Sequence, residues 1–230
     1  MIHQFIFAGP KPGLRAEAFT SYWLNFHAVE FASKIKQIRQ YLVSTRLPVP
    51  TNSPAPFFEG VAEIWLANDA EQLASLQSPE FLHGARMDEP RWAAFWRTFV
   101  LDTDPEVLSD YSGSHPWPEF SKLYILMKRR PGVPLAAFRD DLLTDRSGLA
   151  SQHHLARHLI GFARPGLYAF GEPAFDAIEV LSFRTPEQLT KNIGSEGGSS
   201  ALTAYGNYCD NKQTFQFPGQ EHWVIRPGER

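Results

Sequence analysis

His27 is the residue best placed to move a proton. It lies four residues after Trp23 and eight after Phe19, at the edge of an aromatic run with helical spacing. An imidazole, with an ordinary pKa of about 6.5, suits general acid or base work on an enolisable ketone or a leaving hydroxyl. Glu30, one helical turn on, is expected to orient or charge the ring. Tyr22 or Tyr124 would donate a hydrogen bond to a developing enolate. The plainer reading is a histidine that hydrogen-bonds a backbone carbonyl at a helix edge.

Other groups carry weaker signals. His154 and His158 are four apart and expected on one face, where two imidazoles could hold a divalent metal, but the sequence offers no third ligand. The expectation is therefore no metal, with both residues in the substrate-binding set. Glu63 and Glu179 sit in similar surroundings, Glu-Ile followed by Glu-Gln-Leu and Glu-Val followed by Glu-Gln-Leu, and are expected at matching positions of two strands. Facing an apolar interior, each could act as an acid or a hydrogen-bond partner. Phe5, Phe7, Trp23, Trp65 and Tyr124 would complete a lining for a flat, mostly apolar ligand, or simply fill the core. Cys209, the single cysteine, excludes an intrachain disulfide and a thiol-rich metal site. The Gly/Ser-rich stretch 194–200 lacks the ending of a phosphate-binding loop and reads as a loop or lid.

The elements that must position these groups read as one unit written twice. Pro12-Gly13 followed by Ala18-Phe19 returns as Pro131-Gly132 followed by Ala137-Phe138, an offset of 119, and the Glu63 and Glu179 motifs are offset by 116. In the first copy, strands are expected at 2–8, 39–45, 61–66 and 96–102. One helix should start near Leu14, burying Phe19, Tyr22, Trp23, Phe26 and Val29, and another should be capped by Asn68-Asp69. The second copy repeats the order, with strands at 122–128, 157–163, 176–183 and 221–225 and helices after Pro134 and Pro186. The fold class expected is α+β. Residues 1–104 and 120–230 form two tandem ferredoxin-like βαββαβ units, joined by a linker at 105–119, whose sheets pack as a pseudo-two-fold barrel.

The run Lys11-Pro12-Gly13-Leu14 through Phe19, Tyr22-Trp23 and Phe26-His27-Ala28 resembles the EthD-like family, named for ethyl tert-butyl ether degradation, of the dimeric α/β-barrel superfamily. The resemblance is close in the first half and confined to turn, strand and layout in the second. There the position aligned with His27 falls near Asp145-Arg146. It implies polyketide cyclisation, dehydration or decarboxylation of anthrone-like compounds, cofactor-free oxygenation or, in distant relatives, haem chemistry.

Composition bounds the choice. With 43% hydrophobic and 13% aromatic residues and a net charge of −3, the 230-residue chain is globular and has no cationic stripe for nucleic acid. No apolar run approaches the length of about 18 residues that a membrane span needs, and the N-terminus lacks a signal-peptide pattern, which makes a cytoplasmic location the default. The resulting expectation is a cofactor-independent enzyme acting on a hydrophobic aromatic or polyketide-like carbonyl compound, with homodimerisation left open. The alternatives are a non-catalytic small-molecule binding protein, a haem protein or a cofactor-free monooxygenase.

Overall fold

The computed structural model describes residues 1–49, 51, 57–111, 113, 118–169, 171–194 and 202–230. Eight strands carry the fold: β1 (Ile2–Ala8), β2 (Gln40–Arg46), β3 (Gly60–Leu66), β4 (Phe99–Asp110), β5 (Ser121–Met127), β6 (Arg157–Ala163), β7 (Ala177–Phe183) and β8 (Phe215–Ile225). Their hydrogen-bonded order, β1-β3-β2-β8-β5-β7-β6-β4, closes on itself as an eight-stranded barrel. The chain divides into two compact units. The first comprises Met1–Arg46, Phe57–Asp102 and Glu221–Arg230, and the second Leu47–Pro56 and Thr103–Gln220. β4 runs on to Asp110, so residues 105–110 of the segment expected as a linker are strand. Trp117 and nearly all of the 194–200 stretch lie outside the described residues.

In the first unit, β3 lies between β1 and β2, antiparallel to both, with Ile2 opposite Leu66 and Tyr41 opposite Ile64. Side chains alternate across a strand. Ile2, Ala8, Tyr41, Val43, Ala62, Ile64 and Leu66 therefore face the helices and join Phe19, Trp23, Ala28 and Trp92 in one core. His3, Phe5, Phe7, Leu42, Val61, Glu63 and Trp65 occupy the other face and are also buried.

The helical layer departs from the sequence reading. α1 (Ala16–Tyr22) passes directly into a π-helix, Trp23–Phe31, whose wider turns bond five residues apart. That register places Trp23 and Ala28 inward together, and His27 with Ala32, while Phe26 and Val29 turn outward at 40% and 42% exposure. The expectation that Phe26 and Val29 are buried fails because it assumed 3.6 residues per turn. α2 (Asp69–Gln77) is capped by Asn68, whose side chain accepts from the Glu71 amide at 3.0 Å. A second π-helical segment, Glu80–Ala85, then leads into α3 (Arg86–Trp92). This part was not anticipated, since Gly84 and Pro90 interrupt its pattern.

In the second unit β7 lies between β5 and β6. α4 (Leu135–Arg146), α5 (Leu149–Gln152) and α6 (Pro186–Gly194) accompany them, α4 and α6 following the expected prolines. Contacts recur between the halves. The Lys11 amide bonds the Trp92 carbonyl at 3.0 Å and the Arg130 amide the Tyr208 carbonyl at 2.8 Å. Gly13 and Gly132 adopt φ of 85° and 86°, left-handed values that favour glycine. Phe19 packs on Trp92 as Phe138 packs on Tyr208.

Candidate active site

Asp88, from α3, organises the site. Its carboxylate is 1% exposed and accepts from His27 Nδ1 at 2.9 Å through Oδ2 and from the Tyr22 hydroxyl at 2.8 Å through Oδ1. The Arg91 guanidinium stands 3.7 Å from Oδ1. The π-helical register turns His27 inward, and the run of α3 from Asp88 to Trp92 brings carboxylate and indole to it. Trp92 lies 4.7 Å from the imidazole and Phe31 6.2 Å, ring centre to ring centre.

This arrangement fixes the state of the ring. A carboxylate facing Nδ1 holds the proton there and leaves the Nε2 lone pair open, with no partner among the described residues. Burial pushes the His27 pKa below its ordinary value, and the Asp88 hydrogen bond and charge, which act the other way, do not overcome it. The imidazole is therefore neutral near pH 7 and able to accept a proton. Burial, then the bond to Asp88, raises the Tyr22 pKa, so its phenol stays protonated as a donor.

Glu30 does not orient the ring: it is exposed and lines a cleft of about 340 Å³ with Phe31, Lys34, Pro79, Glu80, His83 and Gly84, to which His27 does not contribute. Asp88 takes the role expected of Glu30. Every group that bonds to or stacks on His27 comes from a helical segment, so the ring sits within the helical layer rather than in a cleft against the sheet.

The other expected residues are not gathered around His27. Trp23 is a core residue whose Nε1 donates to the Tyr41 hydroxyl at 3.2 Å. Phe5, Phe7, Glu63 and Trp65 lie on the sheet face away from the helices. There Glu63 bonds His3 at 2.8 Å, and His3 stacks on Trp65 at 4.2 Å. Tyr124 is buried in the second unit, 5.9 Å from Phe217. Exposed His154, at φ 52°, and fully buried His158 are not brought together.

Glu179 is not the counterpart of Glu63. Phe5 is paired with Glu63, and the residue 119 later, Tyr124, is paired with Val180. The one-residue shift sends Glu179 to the helical side, where its carboxylate accepts from Arg146 Nε at 2.9 Å, His158 at 2.6 Å and the Tyr205 hydroxyl at 2.5 Å. Burial opposes ionisation, but the Arg146 charge and these hydrogen bonds outweigh it and hold the Glu179 pKa down to about 2. Arg146 stands 119 residues after His27, the same offset as between the two Pro-Gly turns.

Residues 11–95 match the family model of the EthD domain. This segment is an EthD domain. It contains Asp88 and the three groups that meet at its carboxylate, His27, Tyr22 and Arg91. No curated protein matches the sequence. Among solved structures, the chain is similar to an anthrone oxidase-like protein, at TM-score 0.65 and 10% identity, covering 98% of this chain and 94% of the other. A candidate monooxygenase from Fusobacterium nucleatum gives 0.61 and 7%, covering 99% and 94%. A chlorite dismutase variant from Candidatus Nitrospira defluvii gives 0.53 and 9%, covering 96% and 91%. At these identities the likeness is one of fold, the dimeric α/β-barrel type in which the EthD domain supplies part of the chain.

Asp88 and Arg91 escaped the sequence reading, while Trp92 was legible only as one of the aromatic residues that could line a site or fill the core. The available signal was Asp88-x-x-Arg91-Trp92, a helical spacing hidden by Pro90 between them.

Proposed function

We propose that the EthD domain catalyses proton transfer on a hydrophobic, enolisable carbonyl compound of aromatic or polyketide type, without a cofactor, with His27 as the general base and then the general acid. The observation that carries this reading is the His27–Asp88 contact in a neutral, partly sealed imidazole: Nδ1 anchored at 2.9 Å, Nε2 open, and the side chain 8% exposed. A base near pH 7 needs a free lone pair and a fixed direction, and both are present.

In the reaction, Nε2 takes a proton from the carbon next to the carbonyl. The C–H electron pair becomes a carbon–carbon double bond, and the carbonyl π pair moves to oxygen as an enolate. Asp88 stabilises the imidazolium formed, and Tyr22 keeps that carboxylate in place. Returning the proton to a different atom completes an isomerisation; in a dehydration the enolate re-forms the carbonyl, the carbon–carbon pair expels the β-hydroxyl, and the imidazolium gives its Nε2 proton to the leaving oxygen, which departs as water.

The chain is read as a tandem duplication in which the first copy keeps the site. The recurring turn and ring contacts support this, as does the Arg146–Glu179 pair standing where the first copy has His27.

The test is proton exchange. 2-Tetralone, a fused-ring enolisable ketone, is incubated with the protein in D2O and its α-proton signals are followed by NMR. The wild type should accelerate exchange, and His27→Gln should lose about a hundredfold or more of it while keeping its fold. Equal exchange in both would remove His27 from the mechanism.

A further inference from the structure

Arg91 has no task in the proton transfer just described, yet its guanidinium is held beside the same carboxylate as His27 and Tyr22. Its side chain is 69% exposed while Asp88 is 1% exposed, so the guanidinium is anchored at one edge and faces solvent with the rest. A guanidinium carries five N–H donors in a planar fork; a long contact to Asp88 at 3.7 Å and a bond to Tyr22 hold one edge of it, and the exposed remainder can take an anion. The neighbouring Arg86 is differently committed: it is paired with Glu89 and stacked over Phe95 at 5.3 Å.

Beside Arg91 is an aromatic shelf. Tyr22 packs on Phe26 at 5.1 Å and on Trp92 at 6.4 Å, Phe26 meets Phe31 at 5.6 Å, and Phe26 remains 40% exposed. An exposed phenylalanine joined to a buried imidazole through Phe31, with a cation at the edge, is complementary to a flat ring system that carries negative charge on one side.

We propose that Arg91 is the anion-binding residue of the His27 site, and that the site selects a planar fused-ring aromatic ligand bearing an oxyanion, either a carboxylate or the enolate that forms during turnover. This rests on the reading of His27 as the base. Arg91 neutralises the oxygen that gains charge as Nε2 takes the proton, and the aromatic shelf holds the ring plane.

Calorimetric titration with 2-naphthoate and with its uncharged counterpart 2-naphthamide tests it. The wild type should bind the carboxylate about tenfold tighter than the amide, roughly one charge-assisted hydrogen bond's worth. Arg91→Gln should erase that preference and leave amide binding unchanged, and Arg86→Gln should keep it. Equal affinities in the wild type, or a preference that survives in Arg91→Gln or disappears in Arg86→Gln, would overturn the assignment. The outcomes separate from those of the base: exchange lost in His27→Gln without any carboxylate preference defeats Arg91 alone, while a preference without His27-dependent exchange supports the anion site and defeats the base.

Discussion

Asp88 Oδ2 and His27 Nδ1 are 2.9 Å apart although 61 residues separate them in sequence. The carboxylate reaches the ring from α3, a different helix from the π-helix that presents His27.

Asp88→Asn should lower turnover by about a hundredfold or more, because the imidazolium formed in the reaction loses its counter-charge. Burial already holds the His27 pKa below its ordinary value, and the carboxylate is the influence that raises it. Without that influence the acid limb of the pH–rate profile moves to still lower pH. A pH–rate series on the two proteins reads both effects.

Tyr22→Phe should move the limb the other way. The phenylalanine keeps the ring contacts to Phe26 and Trp92 but removes the hydroxyl that donates to Asp88 at 2.8 Å. A carboxylate relieved of that donor attracts the protonated imidazole more strongly, so the His27 pKa rises. Loss of the hydrogen bond should cost about 1 kcal/mol of stability in denaturant melts.

Glu179→Gln should destabilise the fold by about 3 to 5 kcal/mol, since it leaves Arg146 buried without its partner charge. In the wild type, with the folded Glu179 pKa near 2 and the unfolded value near 4.5, this contribution is present above pH 4.5. It is lost as pH falls from there toward 2. Chemical denaturation across that range should show the loss in the wild type and little of it in the variant.

Gly60→Ala should cost about 1 to 3 kcal/mol by overpacking. A Cβ at Gly60 would lie 2.7 Å from Trp23 Cζ3 and 3.2 Å from the Ser44 carbonyl, and Trp23 is buried. Thermal melts give the magnitude, and an unchanged melting temperature would mean that the Trp23 ring can move.

Strands were the legible part of this chain. β1, β2, β3, β5, β6 and β7 fall within a residue of expectation because apolar β-branched and aromatic runs bounded by turns leave little choice. The fourth strand, expected at 96–102, shares only 99–102 with β4: it begins later, because Phe95–Arg97 form a 3-10 turn, and runs on to Asp110, because Pro105 resembles a breaker but is accommodated in the strand. The catalytic candidate was visible in Trp23-x-x-x-His27, whereas its partner was not, because α3 is preceded by Gly84 and contains Pro90. Glu30 followed from a spacing of 3.6 residues per turn, and a π-helix does not keep it. The Glu63 and Glu179 pairing failed for a related reason: local similarity of sequence fixes neighbours along a strand, and a shift of one residue in register exchanges the faces.

The ionisation state of His27 itself is the most direct test of the account. A long-range proton–nitrogen NMR spectrum of the imidazole, recorded from pH 8 down to pH 4, reports which nitrogen carries the proton and where the second one binds. The structure predicts a neutral ring protonated on Nδ1 at pH 7, becoming imidazolium only below about 6.5, the ordinary histidine value. An imidazolium already present at pH 7, or a neutral ring protonated on Nε2, would contradict the assignment of His27 as the base.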